Sequence, residues 1–88
     1  MTPREADFAL IDKSLIKVID RERNLDITCK TESLNKWIDR DGAIRFSLNC
    51  VSRHKNTVSS MIVPVENCFF AKDTDKERCR QWIEENTK

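Results

Sequence analysis

The chain has 88 residues, of which 39% are hydrophobic and 35% are charged, and its 16 Lys and Arg nearly cancel its 15 Asp and Glu to leave a formal net charge of +1. This composition predicts one small, soluble, globular domain over residues 1–88 rather than a disordered chain. The charge balance argues against a dedicated nucleic-acid binder, and the lack of a long apolar run or a signal-peptide pattern predicts a cytoplasmic protein.

The N-terminal segment predicts a long first helix. Thr2 can cap it, Pro3 suits its first position, and Glu5 completes a capping box. The spacing of five apolar residues would place them on one face of a helix. They are Phe8, Ile11, Leu15, Val18 and Ile19. Asn24 is the predicted left-handed terminator, and Leu10 is predicted to point away from the apolar face.

The next segments predict a strand and then a short helix. Residues 25–30, "LDITCK", alternate apolar and polar side chains as a half-buried strand does. Leu34, Trp37 and Ile38 have helical spacing, which favours a short helix ending near Asp39. The following "DRDG" would equally close a hairpin into the next strand, so this alternative stays open.

Residues 43–51, "AIRFSLNCV", are the clearest strand, with Ile44, Phe46, Leu48 and Cys50 on its buried face. Residues 52–56 are predicted to form a five-residue hairpin loop, and residues 57–63 the return strand. Pro64 cannot donate a ladder hydrogen bond, so the strand ends there, bulges or lies at a sheet edge, and "VENCFFAK" is expected to resume the strand briefly.

The C-terminal segment predicts a second helix. Thr74 and Glu77 repeat the capping-box pattern, and Cys79, Trp82 and Ile83 form a narrow apolar stripe. Such a helix must dock onto the rest of the domain to persist.

The predicted fold class is therefore α+β. We expect a small antiparallel sheet of about three strands, built around residues 43–51 and 57–63 and joined by residues 25–30. The N-terminal and C-terminal helices are predicted to pack on its apolar face.

Several catalytic classes lack the residues that they require. Gly42 is the only glycine, so neither a P-loop nor a dinucleotide-binding loop can be built. His54 is the only histidine, which excludes the paired histidines of an H-E-x-x-H metalloprotease. With no recognisable nucleophile motif either, the sequence predicts a protein that is not an enzyme and has no cofactor.

The four cysteines are predicted to be reduced, buried side chains. None of them forms the C-x-x-C spacing that brings two sulfurs to one metal ion. A structural zinc site would have to be assembled by tertiary packing alone, from Cys50, His54, Cys68 and Cys79. We predict no metal and leave this assembly open to the structure.

Protein binding is the leading functional hypothesis, because a small domain without catalytic residues acts most simply by occupying a partner's surface. The expected protein is a small regulator or inhibitor that blocks a larger protein, of the type that phages and mobile elements often encode. The proposed contact residues are Leu10, Phe69, Phe70, Arg53 and Lys55. Phe69 and Phe70 point opposite ways in an extended segment, so one of them is expected to be exposed. Charge reversal or alanine at Leu10, or at the exposed member of this pair, is predicted to abolish partner capture and leave the fold intact. No membrane is expected as a partner, and homo-oligomerisation is left open.

Nucleic-acid binding is the alternative hypothesis. It would use a basic hairpin tip, the exposed face of a strand and the last helix, with Arg45, Arg53, His54, Lys55, Lys76, Arg78 and Arg80 as phosphate contacts. Interleaved acids on the last helix, such as Glu84 four residues after Arg80, favour a mixed-charge surface instead.

Overall fold

A computed structural model of the chain describes residues 1–87, and within them every side chain except that of His54. The elements in chain order are α1 (Pro3–Asp12), β1 (Leu15–Asp20), β2 (Leu25–Ile38), β3 (Ile44–His54), β4 (Thr57–Pro64), a 3₁₀ turn (Val65–Asn67), β5 (Cys68–Phe70) and α2 (Asp73–Asn86). The α+β class is confirmed, with five antiparallel strands where the sequence predicted about three. In the part of the chain described, no helix has the length and apolar character to cross a membrane.

The strands form one sheet in the order β4-β3-β2-β1-β5. The first four strands are joined by consecutive hairpins, and the chain then crosses through the 3₁₀ turn to the opposite edge, where β5 pairs with β1. The sequence predicted that the segment after Pro64 would resume β4. This prediction is wrong, because the segment forms the 3₁₀ turn and β5 instead. Pro64 itself ends β4 at a sheet edge, as expected.

The first helix begins as predicted and ends much earlier. The capping box is present, because the amide of Glu5 donates to Thr2 Oγ1 at 3.1 Å and the amide of Thr2 donates to Glu5 Oε1 at 2.8 Å. Lys13 then adopts a left-handed conformation with φ 57° and ends α1. Leu10, predicted to point away from the apolar face, is half-buried, whereas Ile11, predicted on the buried face, is 64% exposed.

The predicted continuation of this helix to Asn24 is wrong, because residues 15–20 form β1 between β2 and β5. Ile16 and Val18 are both fully buried, and they alternate with the less buried Lys17. β-branched residues at alternate positions fit a pleated strand better than a helix. Asn24 is left-handed with φ 55°, as expected, but within the turn between β1 and β2.

The predicted short helix near residues 31–39 is also wrong, and the alternative hairpin is present. β2 continues to Ile38 and pairs with β3, with a bulge between Thr31 and Ser33. Asp39 organises the turn, since its Oδ1 accepts hydrogen bonds from the amides of Asp41 and Ala43 at 2.9 and 3.0 Å. Pairing along the whole of β3 outweighs the helical spacing of three apolar residues.

The core lies between the sheet and α1, with Ala6 and Ala9 of the helix packed against buried strand residues such as Leu48. The second helix contacts α1 and β5 instead of the sheet face that the sequence predicted. The Phe8 ring stands 5.6 Å from that of Trp82 and 6.2 Å from that of Phe70, measured between centroids.

Two local details of the chain also differ from their sequence patterns. The cap of α2 is Lys72, which makes no side-chain capping hydrogen bond to a described residue, so the predicted capping box of Thr74 and Glu77 is wrong. The turn between β3 and β4 contains two residues rather than five, because the strands pair up to His54 and Thr57. Lys55 in this turn takes the left-handed conformation, with φ 53°.

Candidate functional site

The end of the β2–β3 hairpin extends beyond the rest of the sheet. Strand β1 pairs only with residues 25–30 of β2, so residues 31–38 have a described neighbour strand on one side only. Ile38 and Ile44 lie directly opposite each other at this end, and their exposed fractions are 70% and 55%. The two longest strands of the sheet thus carry an apolar pair into solvent.

The same face of the sheet is buried nearer its centre. Leu48 is fully buried opposite the half-buried Leu34, and one row further out Phe46 is half-buried opposite Lys36. Ile38 and Ile44 form the next row on this face, because residues two apart on a strand share a face. The apolar face therefore continues from the core to an end that no described residue covers.

Trp37 lies on the opposite face of the hairpin end. Its indole Nε1 donates a hydrogen bond to Ser47 Oγ at 3.1 Å, and the side chain is 49% exposed. Ser47 is buried, although alternation places it on the face opposite to Phe46 and Leu48. We call Trp37, Ile38 and Ile44 together the hairpin end. The hydrogen bond to Ser47 holds the indole of Trp37 in one orientation, while about half of the side chain is exposed to solvent.

An ion pair closes the turn beside these residues. Arg45 Nε donates to Asp39 Oδ2 at 2.8 Å. This hydrogen bond, with those from the amides of Ala43 and Asp41, holds the pKa of Asp39 below its ordinary value. The hairpin end is consequently presented on a defined turn rather than a loose loop.

Sequence reasoning missed the hairpin end because it assigned residues 31–39 to a helix. Trp37 and Ile38 are adjacent, so in a strand they point to opposite faces and at least one of them is available to solvent. That signal was present in the alternative hairpin reading. The exposure of Ile44 had no such signal, since it continues the alternation of Phe46 and Leu48.

The predicted protein-contact residues do not form one surface. Phe69 is 47% exposed on β5, and Phe70 is half-buried against Phe8. Arg53 and Lys55 are exposed at the β3–β4 tip, with β1 and β2 between β3 and β5 in the sheet order. Leu10 lies on α1, beside a shallow depression that it shares with Lys13, Lys30, Thr31 and Glu32.

The predicted phosphate contacts are partly occupied by acids. Arg78 donates to both carboxylate oxygens of Asp12, at 2.8 and 2.9 Å, and also to Asp75. Arg80 pairs with Glu77 and Glu84, and Arg45 with Asp39 as described above. Lys76 and Arg80 line a depression beside α2 that also contains Glu5, Asp73, Glu77 and Glu84. Acids outnumber bases there, which disfavours phosphate.

The remaining basic candidates are at the β3–β4 tip, where Arg53 and Lys55 are exposed. The side chain of His54, which was both a phosphate and a zinc candidate, lies outside the described part of the structure. The tip therefore offers two described positive charges, which is a small patch for nucleic acid.

Three of the four thiols meet in the core. Cys50 interacts with both Cys29 and Cys68, and all four cysteines are free and buried. Hydrogen bonding with Cys50 and burial raise the pKa of Cys29. For Cys50 itself, the bond with Cys29 acts to lower the pKa, but the bond with Cys68 and burial outweigh it and raise the pKa to about 12.

Cys79 is separate from this cluster, on α2, and burial raises its pKa. Among the described residues, no group of three or more His, Cys, Asp or Glu side chains could hold a metal ion. The described cysteines are accounted for as small apolar core residues.

Comparison with known proteins identifies no family for this chain: no family model matches it, and no curated protein or solved structure matches it. Its own surfaces are the basis on which a function can be assigned.

Proposed function

We propose that this chain is a non-enzymatic protein-interaction module, a small regulator or inhibitor that binds a larger protein through the hairpin end and blocks that protein's surface. The observation that carries the proposal is the exposure of Ile38 and Ile44, 70% and 55%, as a directly opposed apolar pair at the end of the β2–β3 hairpin. Exposed apolar side chains that adjoin one another mark interaction sites more often than single ones do.

The hairpin end has the composition of a binding hot spot. Burying a large aliphatic side chain completely contributes about 1.5–3 kcal/mol, and Trp is the residue most enriched at such sites. Because Ile38 and Ile44 are largely exposed in the free chain, most of their burial free energy is available to a partner, and Trp37, 49% exposed on the opposite face, adds to it where the partner covers both faces of the hairpin. The Ser47 hydrogen bond fixes the indole beforehand, which lowers the entropy lost on binding.

The partner that fits this surface combines apolar side chains with an acidic group. Lys36 lies on the same face as Ile38 and Leu34, it is exposed, and it makes no ion pair with a described residue. A carboxylate of the partner beside this ammonium would fix orientation and favour association. We therefore expect an acidic-rimmed apolar groove or ridge on the partner.

The positions of the titratable groups support the proposal of a protein that is not an enzyme. The carboxyl groups whose pKa is displaced, those of Asp12, Asp39 and Glu77, are each paired with an arginine on the surface. The thiols are enclosed in the core, where a nucleophile has no access to substrate. Reduced thiols also fit the cytoplasmic location that the proposal retains, for a regulator of the phage or mobile-element type.

Nucleic-acid binding has weaker support, because Arg45, Arg78 and Arg80 are already paired with acids. It makes a separate prediction that is easily measured. If Arg53 and Lys55 bind phosphate, affinity for duplex DNA or RNA must fall steeply with rising salt concentration. Failure to shift either nucleic acid at low salt removes this alternative.

The proposal is tested by capture from a lysate of the native host, using three immobilised proteins. They are the wild type, the double variant Ile38→Asp with Ile44→Asp, and the control Ile11→Asp, whose residue is 64% exposed on α1. We expect one stoichiometric protein to be retained by the wild type and the control and lost from the double variant. Equal retention by all three would contradict the hairpin end as the binding surface.

A further inference from the structure

Strand β4 forms an unprotected edge of the sheet. It contains eight residues, "TVSSMIVP", and none of them is charged. Val58 and Ile62 are 57% and 65% exposed. Natural edge strands are usually protected by charged side chains, bulges or prolines, and here only Pro64, at the very end of the strand, does so.

The backbone of β4 offers a regular set of unpaired groups at this edge. In a hairpin with a two-residue turn, the residues that flank the turn form a hydrogen-bonded pair, here His54 and Thr57. Hydrogen-bonded pairs recur at every second residue of an antiparallel ladder, so Ser59 and Met61 also direct their backbone groups toward β3.

The intervening residues, Val58, Ser60 and Ile62, direct their N–H and C=O groups away from β3, where the described chain has no further strand. Pro64 belongs to the same outward series, so its missing N–H leaves the ladder with β3 intact. The open edge thus presents three N–H groups and three C=O groups spaced symmetrically about Ser60.

We propose that β4 of a second copy of this chain pairs antiparallel with β4 across a two-fold axis at Ser60, so that two sheets become one continuous sheet. This inference does not depend on the proposed function, because β4 and the hairpin end are different parts of the molecule. The outward groups of Val58, Ser60 and Ile62 in one copy then meet those of Ile62, Ser60 and Val58 in the other.

The side chains are self-complementary in this register. Val58 of each copy lies opposite Ile62 of the other, which gives two such pairs in the dimer. Pairs of β-branched residues stabilise antiparallel sheets. Ser60 lies opposite itself, where two hydroxyl groups can hydrogen-bond. The absence of charge on β4 means that the two-fold axis brings no like charges together along the strand.

Charges outside the strand also favour a second copy. The register places Asn56 of one copy opposite Pro64 of the other, which brings the Lys55 tip toward the exposed Glu66 that follows Pro64. Because the axis is two-fold, Lys55 of each copy approaches Glu66 of the other, and both pairs join opposite charges.

The open edge of β2 does not offer the same self-pairing. Pairing about Lys36 would place that ammonium opposite itself, which is unfavourable. Pairing that places Glu32 opposite Lys36 also places Ile38 opposite Lys30, whose edge is already occupied by Leu15 of β1. Of these two edges, β4 is therefore the one better suited to a second copy.

A charge-swap experiment tests the register. We expect the wild type to show twice the 10.3 kDa mass of one chain in sedimentation or light-scattering measurements. The double variant Val58→Lys with Ile62→Lys puts like charges opposite each other and should weaken dimerisation by about tenfold or more. The double variant Val58→Lys with Ile62→Glu puts opposite charges there and should restore the dimer.

A cross-linking experiment tests the axis and needs no disruption of the dimer. The hydrogen-bonded pair at the axis has its Cα atoms about 5.5 Å apart, within disulfide range. Ser60→Cys should therefore form an interchain disulfide under mild oxidation, while the native cysteines are buried. Ser59→Cys is the control, because residue 59 lies opposite Met61 of the other copy and its own equivalent is about 7–8 Å away.

A dimer that follows the charge swap and links through Ser60→Cys supports the proposal. A wild type that stays monomeric across its soluble range overturns it. A dimer that persists in the like-charge variant, or one that links equally through Ser59→Cys, overturns the assignment to β4. If the like-charge variant fails to fold, the Ser60→Cys and Ser59→Cys comparison decides alone.

Discussion

Ile38 and Ile44 face each other across the end of the β2–β3 hairpin, two rows beyond the buried Leu48 on the same face of the sheet. The described contacts between α1 and β2 lie nearer the centre of the sheet. They include the hydrogen bond from Thr31 Oγ1 to the carbonyl of Ala9, at 3.4 Å, and a depression that Leu10 shares with Thr31 and Glu32. Beyond that point the apolar face of the hairpin is open to a partner.

The two ends of this face are predicted to differ sharply in their contribution to stability. Leu48→Ala should lower the free energy of unfolding by about 2–5 kcal/mol, because it leaves a cavity in a packed core. Ile44→Ser, on the same strand and face, should change it by less than about 0.5 kcal/mol. Urea denaturation of both variants measures this, and a comparable loss in Ile44→Ser would show that the hairpin end is packed.

The two tryptophans are predicted to report different surroundings. In Trp82→Phe the remaining Trp37 is 49% exposed, so its emission should be red-shifted and readily quenched by acrylamide. In Trp37→Phe the remaining Trp82 packs on Phe8, so its emission should be blue-shifted and less quenched. Equal quenching of the two variants would contradict the exposed position of Trp37.

The thiols are predicted to be unreactive in the folded protein. All four are buried, which limits the access of a reagent. Burial also helps to raise the pKa of Cys29, Cys50 and Cys79, that of Cys50 to about 12, whereas hydrogen bonding with Cys50 lowers the pKa of Cys68, so that burial alone protects this thiol. A thiol-specific reagent such as a disulfide-forming dye should react slowly near pH 8 and rapidly with all four thiols in denaturant. A fast-reacting thiol in the native protein would contradict this arrangement of the core.

The contact between the helices is predicted to be sensitive to acid. The hydroxyl of Ser14 and the guanidinium of Arg78 hold the pKa of Asp12 below its ordinary value of 3.8, although burial opposes them. Because the folded-state pKa is the lower one, the stability that this carboxylate contributes is present above pH 3.8 and is lost as the pH falls through the lowered value.

Melting temperatures of the wild type and Asp12→Asn at neutral and acidic pH test this linkage. The wild type should melt higher at pH 7, and the difference should shrink as the pH falls below about 4. Glu85→Gln, on the exposed surface of α2, is the matched control and should follow the wild type. A difference that is independent of pH would rule out Asp12 as the titrating group.

Local rules were enough to predict part of the fold. The capping box of Thr2 and Glu5, the strand around Leu48 and the edge position of Pro64 each depend on a few neighbouring residues, and each is present. The residues of β1 could not be assigned in this way. Their helical spacing is real, but β1 lies between two other strands, and pairing on both sides decides its conformation.

The candidate site, too, could be predicted only where local patterns decide the position of a side chain. Alternation predicted that one of Phe69 and Phe70 would be exposed, and the structure shows that it is Phe69. The exposure of Ile38 and Ile44 depends on how far α1 and β1 extend over β2, which is a tertiary property that no local pattern contains. The neutralisation of Arg78 by Asp12 likewise joins residues that are far apart in the chain.

The most direct test of the proposed function is the dissociation constant for the captured partner once it is purified, measured by calorimetry with matched variants. In the complex each isoleucine is expected to be buried by the partner, which contributes about 1.5–3 kcal/mol to binding. We therefore predict that Ile38→Asp with Ile44→Asp binds at least about 100-fold more weakly than the wild type. Ile11→Asp should bind within about twofold of the wild type, and Phe69→Asp, on another strand, should do the same if the hairpin end is the only contact surface. Equal dissociation constants for the wild type and the hairpin-end variant would contradict the account.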